Sequence, residues 1–108
     1  MKMITAIVNK KDATEVCDSL TGHHVSFTKL ATVGGFLRSS NTTLLIGVED
    51  DMVEDVLGMI RRHCSTRHQV IPSAPATEGG HMYASYPVEI TVGGAIVFVT
   101  DVQHFEKM

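Results

Sequence analysis

Short apolar runs recur along the chain and mark its strands. Three of them, at residues 3–9, 25–32 and 42–49, predict strands, and the first and third carry apolar residues at both odd and even positions, which predicts burial on two faces. Two more runs, at residues 86–92 and 95–102, flank Gly93 and Gly94 and predict a closing hairpin.

Two segments between these runs have helical spacing instead. In the first, Asp12 with Glu15 three residues later predicts a capped helix start, and Gly22 suits its end. Its apolar stripe is Ala13, Val16, Cys17 and Leu20. In the second, Asp50 and Asp51 are predicted to cap a helix that ends in basic residues 61–63. Its apolar side is Met52, Val53, Val56, Leu57 and Ile60.

The order of these elements predicts an α+β fold. Residues 65–85 contain Pro72, Pro75, Gly79 and Gly80 without clear periodicity, and so predict a long mobile loop. The order β-α-β-β-α-loop-β-β is the ferredoxin-like plan with one extra strand. Two helices cover only one face of such a sheet, while its strands are apolar on both. We therefore expect a homo-oligomer, with sites between subunits.

Length and composition indicate one domain over residues 1–108. The chain is 44% hydrophobic and 19% charged, which excludes a mainly disordered protein. Its net charge of −3 argues against DNA or RNA polymers as partners. Two cysteines, a start without signal-peptide features and no long apolar stretch predict a reduced cytoplasmic protein without membrane spans.

The segment 33–43 carries the most informative chemistry. Gly34 and Gly35 allow close backbone approach to an anion, Arg38 supplies donors, and Phe36 offers an aromatic face. Together these features suggest a nucleotide site. A hairpin turn with Phe36 in the core explains the same residues, and the residues alone do not decide between the two interpretations. The segment lacks the Walker ending and, since it joins two strands, is not a Rossmann fingerprint.

Metal binding and catalysis have weaker signals. His63, Cys64, His68 and His81 fall in or beside one loop, but the paired ligands of structural zinc sites are absent. Nucleophile–base patterns are also absent, and the acidic start of the second helix is explained by the helix dipole. The sequence therefore predicts a non-enzymatic protein with no metal and no cofactor.

Four stretches resemble the PII-like cyclic-di-AMP receptors: MKMITAIV at the start, FTKLATVGGFLRSSNTT at 27–43, GVEDDMVEDVL at 47–57 and YPVEITVGGAIVFV at 86–99. The resemblance covers nearly the whole chain and favours the nucleotide interpretation. It implies a homotrimeric signalling protein that binds cyclic-di-AMP between subunits. It also implies that the 65–85 loop relays occupancy to a downstream protein, which the resemblance does not identify.

The resemblance also implies the ligand contacts. By position they fall on Thr28, Gly35, Phe36, Leu37, Asn41 and Gly47. Phe36 would stack on an adenine, Asn41 and Thr28 would hydrogen-bond the ligand, and Gly47 would leave room for a base. One position departs from the relatives, which carry Arg where this chain has Ser26. Losing a guanidinium could weaken the binding of a dianion, and Lys29 or Arg38 could compensate.

Three alternatives stay open. A trimeric metal-binding protein of related architecture would use the cluster from His63 to His68. A PII-type sensor of ATP or ADP is disfavoured because the long loop follows the second helix rather than the second strand. A small enzyme would turn its ligand over instead of binding it stoichiometrically.

Overall fold

The computed structural model describes residues 1–32, 41–65, 67–72 and 87–108, and only the backbone for 31–32, 67–72 and 87–92. The predicted loop residues 33–40 and most of 65–85 lie outside this range. The strands are β1 (Lys2–Asn9), β2 (Thr28–Thr32), β3 (Asn41–Val48), β4 (Arg67–Pro72), β5 (Pro87–Val92) and β6 (Ala95–Asp101). The helices are α1 (Lys10–Gly22) and α2 (Val53–Cys64), with a short 3-10 turn, Asp50–Met52, before α2.

Four strands form the main sheet, in the order β2-β3-β1-β6. Each neighbouring pair is antiparallel, so β3 lies between β1 and β2, which α1 connects. This arrangement confirms the predicted ferredoxin-like α+β fold. The register aligns Ile4 with Ile46 on one side and with Val99 on the other.

The core lies between one face of this sheet and the two helices. Alternate residues of β1 and β3 point into it, and Ile4 and Ile46 are both fully buried. The helices contribute buried residues at helical spacing, namely Val16, Leu20, Val56 and Ile60. Both helices therefore cover the same face, as the hydrophobic pattern predicts.

The opposite face of the sheet, which we call the open face, has no helix over it. Met3, Thr5 and Ile7 of β1 lie on it and are half-buried. Leu30 in β2 is 42% exposed and Phe98 in β6 is 46% exposed. The open face is thus partly apolar, as expected from strands that carry apolar residues at both odd and even positions.

The predicted start of α1 is wrong. The cap is Asn9, whose side chain accepts a hydrogen bond from the Lys11 N–H at 2.9 Å. Asp12 instead lies inside the helix and is only 4% exposed. Asparagine caps as well as aspartate does, so the helix begins at the earlier of the two residues. At the other end Gly22 is still helical, and His24 takes the left-handed conformation at φ 59°.

The predicted caps of α2 are also wrong. Asp50 and Asp51 lie in the 3-10 turn, and the helix itself begins at Val53. Glu49 precedes the 3-10 turn and Met52 precedes α2, and neither side chain makes a capping hydrogen bond. The Asp50 carboxylate instead pairs with the amino group of Met1 at 2.9 Å.

The C-terminal third differs most from the prediction. Strand β4 lies inside the segment predicted to be without regular structure, and it pairs with β5 in a separate two-stranded sheet. The predicted hairpin between the last two strands is therefore wrong, because β6 pairs with β1. Gly93 and Gly94, at φ 80° and 88°, turn the chain from one sheet into the other. Two strands are thus added to the ferredoxin-like plan instead of one.

Candidate functional site

A groove of about 470 Å³ lies at one end of the open face. Four of its lining residues, Met3, Thr28, Leu45 and Gly47, come from the three neighbouring strands β1, β2 and β3. The register explains their meeting, because Thr28 is opposite Leu45 and Met3 is opposite Gly47. Residues directly opposite each other in an antiparallel sheet share a face, so all four side-chain positions point toward the groove.

Residues outside the sheet form the rim of the groove. The remaining lining residues are Met1, Ser26, Phe27, Val102, Phe105 and Lys107. The C-terminal segment is held beside the first strand because the Val102 N–H donates to the Met1 carbonyl at 3.2 Å. Phe27 packs against the core, whereas Phe105 is 63% exposed. The rim thus places an exposed aromatic ring and a lysine beside an apolar floor.

Two other positive charges near the groove, those of Lys2 and the Met1 amino group, are paired. The Lys2 ammonium bonds to the Asp101 carboxylate, which raises the pKa of Lys2 above its usual range. The hydrogen bond from the Met1 amino group lowers the pKa of Asp50. Within the part of the chain that the structure describes, Lys107 takes part in no ion pair. Ser26 lines the groove as a neutral residue.

The structure brings together two of the six predicted ligand residues. Thr28 and Gly47 both line the groove. Asn41 lies on the same face of the sheet but at the other end of β3, six residues from Gly47, or about 20 Å at ~3.4 Å per residue. It is only 5% exposed. Gly35, Phe36 and Leu37 lie outside the described residues, so their role as ligand contacts stays a prediction.

Sequence reasoning missed the rest of the groove. Leu45 and Met3 could have been found from the register, since they face Thr28 and Gly47 across the strand pairs. Phe105 and Lys107 follow the last strand in a segment without regular structure. No periodicity marks such a segment, so the sequence carries no signal that it borders the site.

The described part of the metal-ligand cluster does not form a binding site. The His63 Nδ1 atom lies 3.4 Å from a carboxylate oxygen of Glu15, so it links the two helices. Cys64 is buried, with 2% of its surface exposed. Over residues 1–32, 41–65, 67–72 and 87–108, no group of three or more potential ligands comes together. No helix in these ranges is long and apolar enough to span a membrane.

Comparisons with known proteins identify the family. The chain matches the profile of the cyclic-di-AMP receptors over residues 1–108. It is 38% identical, over 79 residues, to nitrogen fixation nifHD region GlnB-like protein 1 of Methanothermococcus thermolithotrophicus, covering 61% of this chain and 75% of that protein. A crystal structure of a functionally unknown protein from Pediococcus pentosaceus ATCC 25745 aligns with a TM-score of 0.79 and 38% identity, over 99% and 96% of the two chains. The chain therefore belongs to the cyclic-di-AMP receptor family of PII-like signalling proteins.

Proposed function

We propose that this protein is a non-enzymatic receptor that binds cyclic-di-AMP between the subunits of a homotrimer and signals occupancy to a downstream protein. The observation that carries the proposal is the groove on the open face, which contains Thr28 and Gly47 in a chain of the receptor family. The groove joins an apolar floor with a hydroxyl group, a combination that suits a purine base and its polar edge.

The chemistry of the lining residues supports a base in the groove. Met3 and Leu45 provide apolar contact area, and the Thr28 hydroxyl can donate to a ring nitrogen or a phosphate oxygen, or accept from the exocyclic amino group of adenine. Gly47 leaves space between them, because a Cβ atom built there would meet no other atom within 4 Å. A flat ring could therefore approach the backbone of β3 at this residue.

The spacing of the predicted contacts supports a site shared between subunits. One subunit separates Asn41 from Gly47 by about 20 Å along β3. A second copy against the open face could bring its own Asn41 region next to the groove of the first. The partly apolar open face gives such a copy a surface to bury. The trimeric number of subunits is what the resemblance implies.

The proposed relay requires that the ligand favours one state of the 65–85 segment. A ligand can shift such an equilibrium only by the difference in its affinity for the two states. We expect hydrogen exchange in this segment to slow when cyclic-di-AMP saturates the protein. Unchanged exchange at saturation would exclude the segment as the relay.

Titration calorimetry with cyclic-di-AMP tests the proposed ligand. We expect about one molecule bound per subunit, and weak or no binding of cyclic-di-GMP, ATP or Zn²⁺ in the same buffer. At a hundredfold excess over Kd, the ligand should also stabilise the fold by about 2.7 kcal/mol. Turnover of the ligand, selective binding of another compound or no binding of cyclic-di-AMP would contradict the proposal.

A pair of threonine variants locates the binding site. Thr28→Val removes the groove hydroxyl with little change in shape and should weaken binding by about 0.5–1.5 kcal/mol. Thr5→Val removes a hydroxyl from the same face of the sheet, but Thr5 does not line the groove. It should bind as the wild-type protein does. Equal losses in both variants would argue that the open face as a whole, and not the groove, responds to the change.

A further inference from the structure

Cyclic-di-AMP carries two phosphodiester groups and hence two negative charges. The chain itself has a net charge of −3, so its overall field does not attract such a ligand. Affinity for a dianion then depends on positive charge placed locally, where charge-assisted hydrogen bonds to phosphate oxygens are stronger than neutral ones. The question is which residue supplies that charge at the groove.

Most candidate cations near the groove are already engaged or face elsewhere. Lys2 is bonded to Asp101, and the Met1 amino group is paired with Asp50. Lys29 is aligned with Leu44, a fully buried residue of the helix-covered face, and so points away from the groove. Its charge acts on that side: burial raises the pKa of the Cys17 thiol in α1, and the Lys29 ammonium partly opposes this rise. Lys29 therefore does not compensate for the neutral Ser26.

Among the cations that the structure describes near the groove, Lys107 combines two properties. It lines the groove together with Ser26 and Thr28. Within the described residues it takes part in no ion pair, so binding a phosphate would not require breaking one. The acidic residue next to Lys107 in sequence is Glu106, and its carboxylate lies 3.6 Å from the Nε2 atom of His104.

We infer that Lys107 is a ligand-binding residue that supplies the positive charge for a phosphate of the dinucleotide. This inference rests on the proposed function. The lysine side chain is long and flexible and carries a compact charge, so it can follow a phosphate at the rim without a fixed geometry. The C-terminal segment thereby both borders the groove and contributes a charge contact to a site whose floor is apolar.

The test compares the affinity of cyclic-di-AMP for four proteins by calorimetry. Lys107→Gln keeps most of the side-chain length but removes the charge, and we expect it to weaken binding about tenfold. Lys29→Gln removes the same charge from the other face of the sheet and should leave affinity unchanged. Ser26→Arg in the Lys107→Gln background places a new cation in the groove and should restore much of the loss. Thermal melting of each variant checks that the fold is intact.

The salt dependence provides a second measurement on the same proteins. Salt screens exposed charge pairs, so wild-type affinity should fall as salt is raised and the affinity of Lys107→Gln should fall less. Wild-type affinity in Lys107→Gln, or equal losses in Lys107→Gln and Lys29→Gln, would overturn the assignment while leaving the receptor function standing. An absence of binding by the wild-type protein would overturn both.

Discussion

At the scale of single residues, Gly47 determines whether the groove has room for a base. It lies on the open face in β3, and an added Cβ atom would meet nothing within 4 Å. Gly47→Val should therefore fold normally, and the β-branched side chain should suit the strand. The valine methyl groups would occupy the space proposed for the ligand. We expect unchanged or slightly higher thermal stability together with at least about tenfold weaker binding, or ~1.4 kcal/mol.

Gly58 provides a matched control for this substitution. It lies inside α2, and an added Cβ atom there also meets nothing within 4 Å. Gly58→Ala should raise the free energy of unfolding by about 0.4–1 kcal/mol because alanine restricts the unfolded chain. It should not affect ligand affinity. If Gly47→Val bound cyclic-di-AMP as tightly as Gly58→Ala does, the groove would not be the site of the base.

At the scale of elements, Asn9 joins the main sheet to the first helix. It ends β1, and its side chain caps α1 through the Lys11 N–H. Asn9→Ala should lower the free energy of unfolding by about 0.5–2 kcal/mol, measured by urea denaturation. Glu49→Ala is the control, since Glu49 precedes the 3-10 turn without a side-chain capping bond. A loss in Glu49→Ala as large as in Asn9→Ala would mean that capping does not explain the effect.

The elements that could be predicted from the sequence are those that build the core. The two helices have clear apolar periods and strands β1 and β3 are continuous apolar runs, because all four elements pack on the same core. The start of α1 was missed because Asn9 and Asp12 are both good caps, and only the structure shows which one accepts the hydrogen bond. Strand β4 was missed for a different reason. Its sequence, RHQVIP, has no regular alternation, and its partner β5 is fifteen positions farther along the chain.

The candidate site was predictable only in part for a related reason. The resemblance identified Thr28 and Gly47 by matching their positions, and the structure places both in one groove. The position of Thr28 beside Leu45 and Gly47, and not beside Asn41, depends on the pairing register of β2 and β3, which local patterns do not determine. The contributions of Phe105 and Lys107 depend on where the chain runs after β6.

At the scale of the whole molecule, the chain is far from spherical. Its Cα radius of gyration is 18.5 Å, against about 13 Å expected for a compact domain of 100 residues. Its longest dimension is 66 Å, and two of the six strands in the described parts of the chain lie outside the main sheet. The open face of that sheet exposes Leu30 and Phe98. An elongated chain with an uncovered, partly apolar sheet face is typical of a protein that completes its packing against other copies, as the proposed oligomer would.

Two adjacent residues of β6 test which face of the sheet forms this contact. Phe98 lies on the open face, since it is opposite Thr5, and is 46% exposed. Val99 is opposite the buried Ile4 on the helix-covered side and is 42% exposed. Phe98→Lys should convert the oligomer to monomers in sedimentation equilibrium, because a charge would be buried without a partner. Val99→Lys should leave the oligomer intact.

If the ligand site is shared between subunits, the monomeric Phe98→Lys protein should also lose cyclic-di-AMP binding, whereas Val99→Lys should keep it. Dissociation caused by Val99→Lys alone would instead assign the subunit contact to the groove between α2 and β6, which Val99 lines with Leu57 and Ile60.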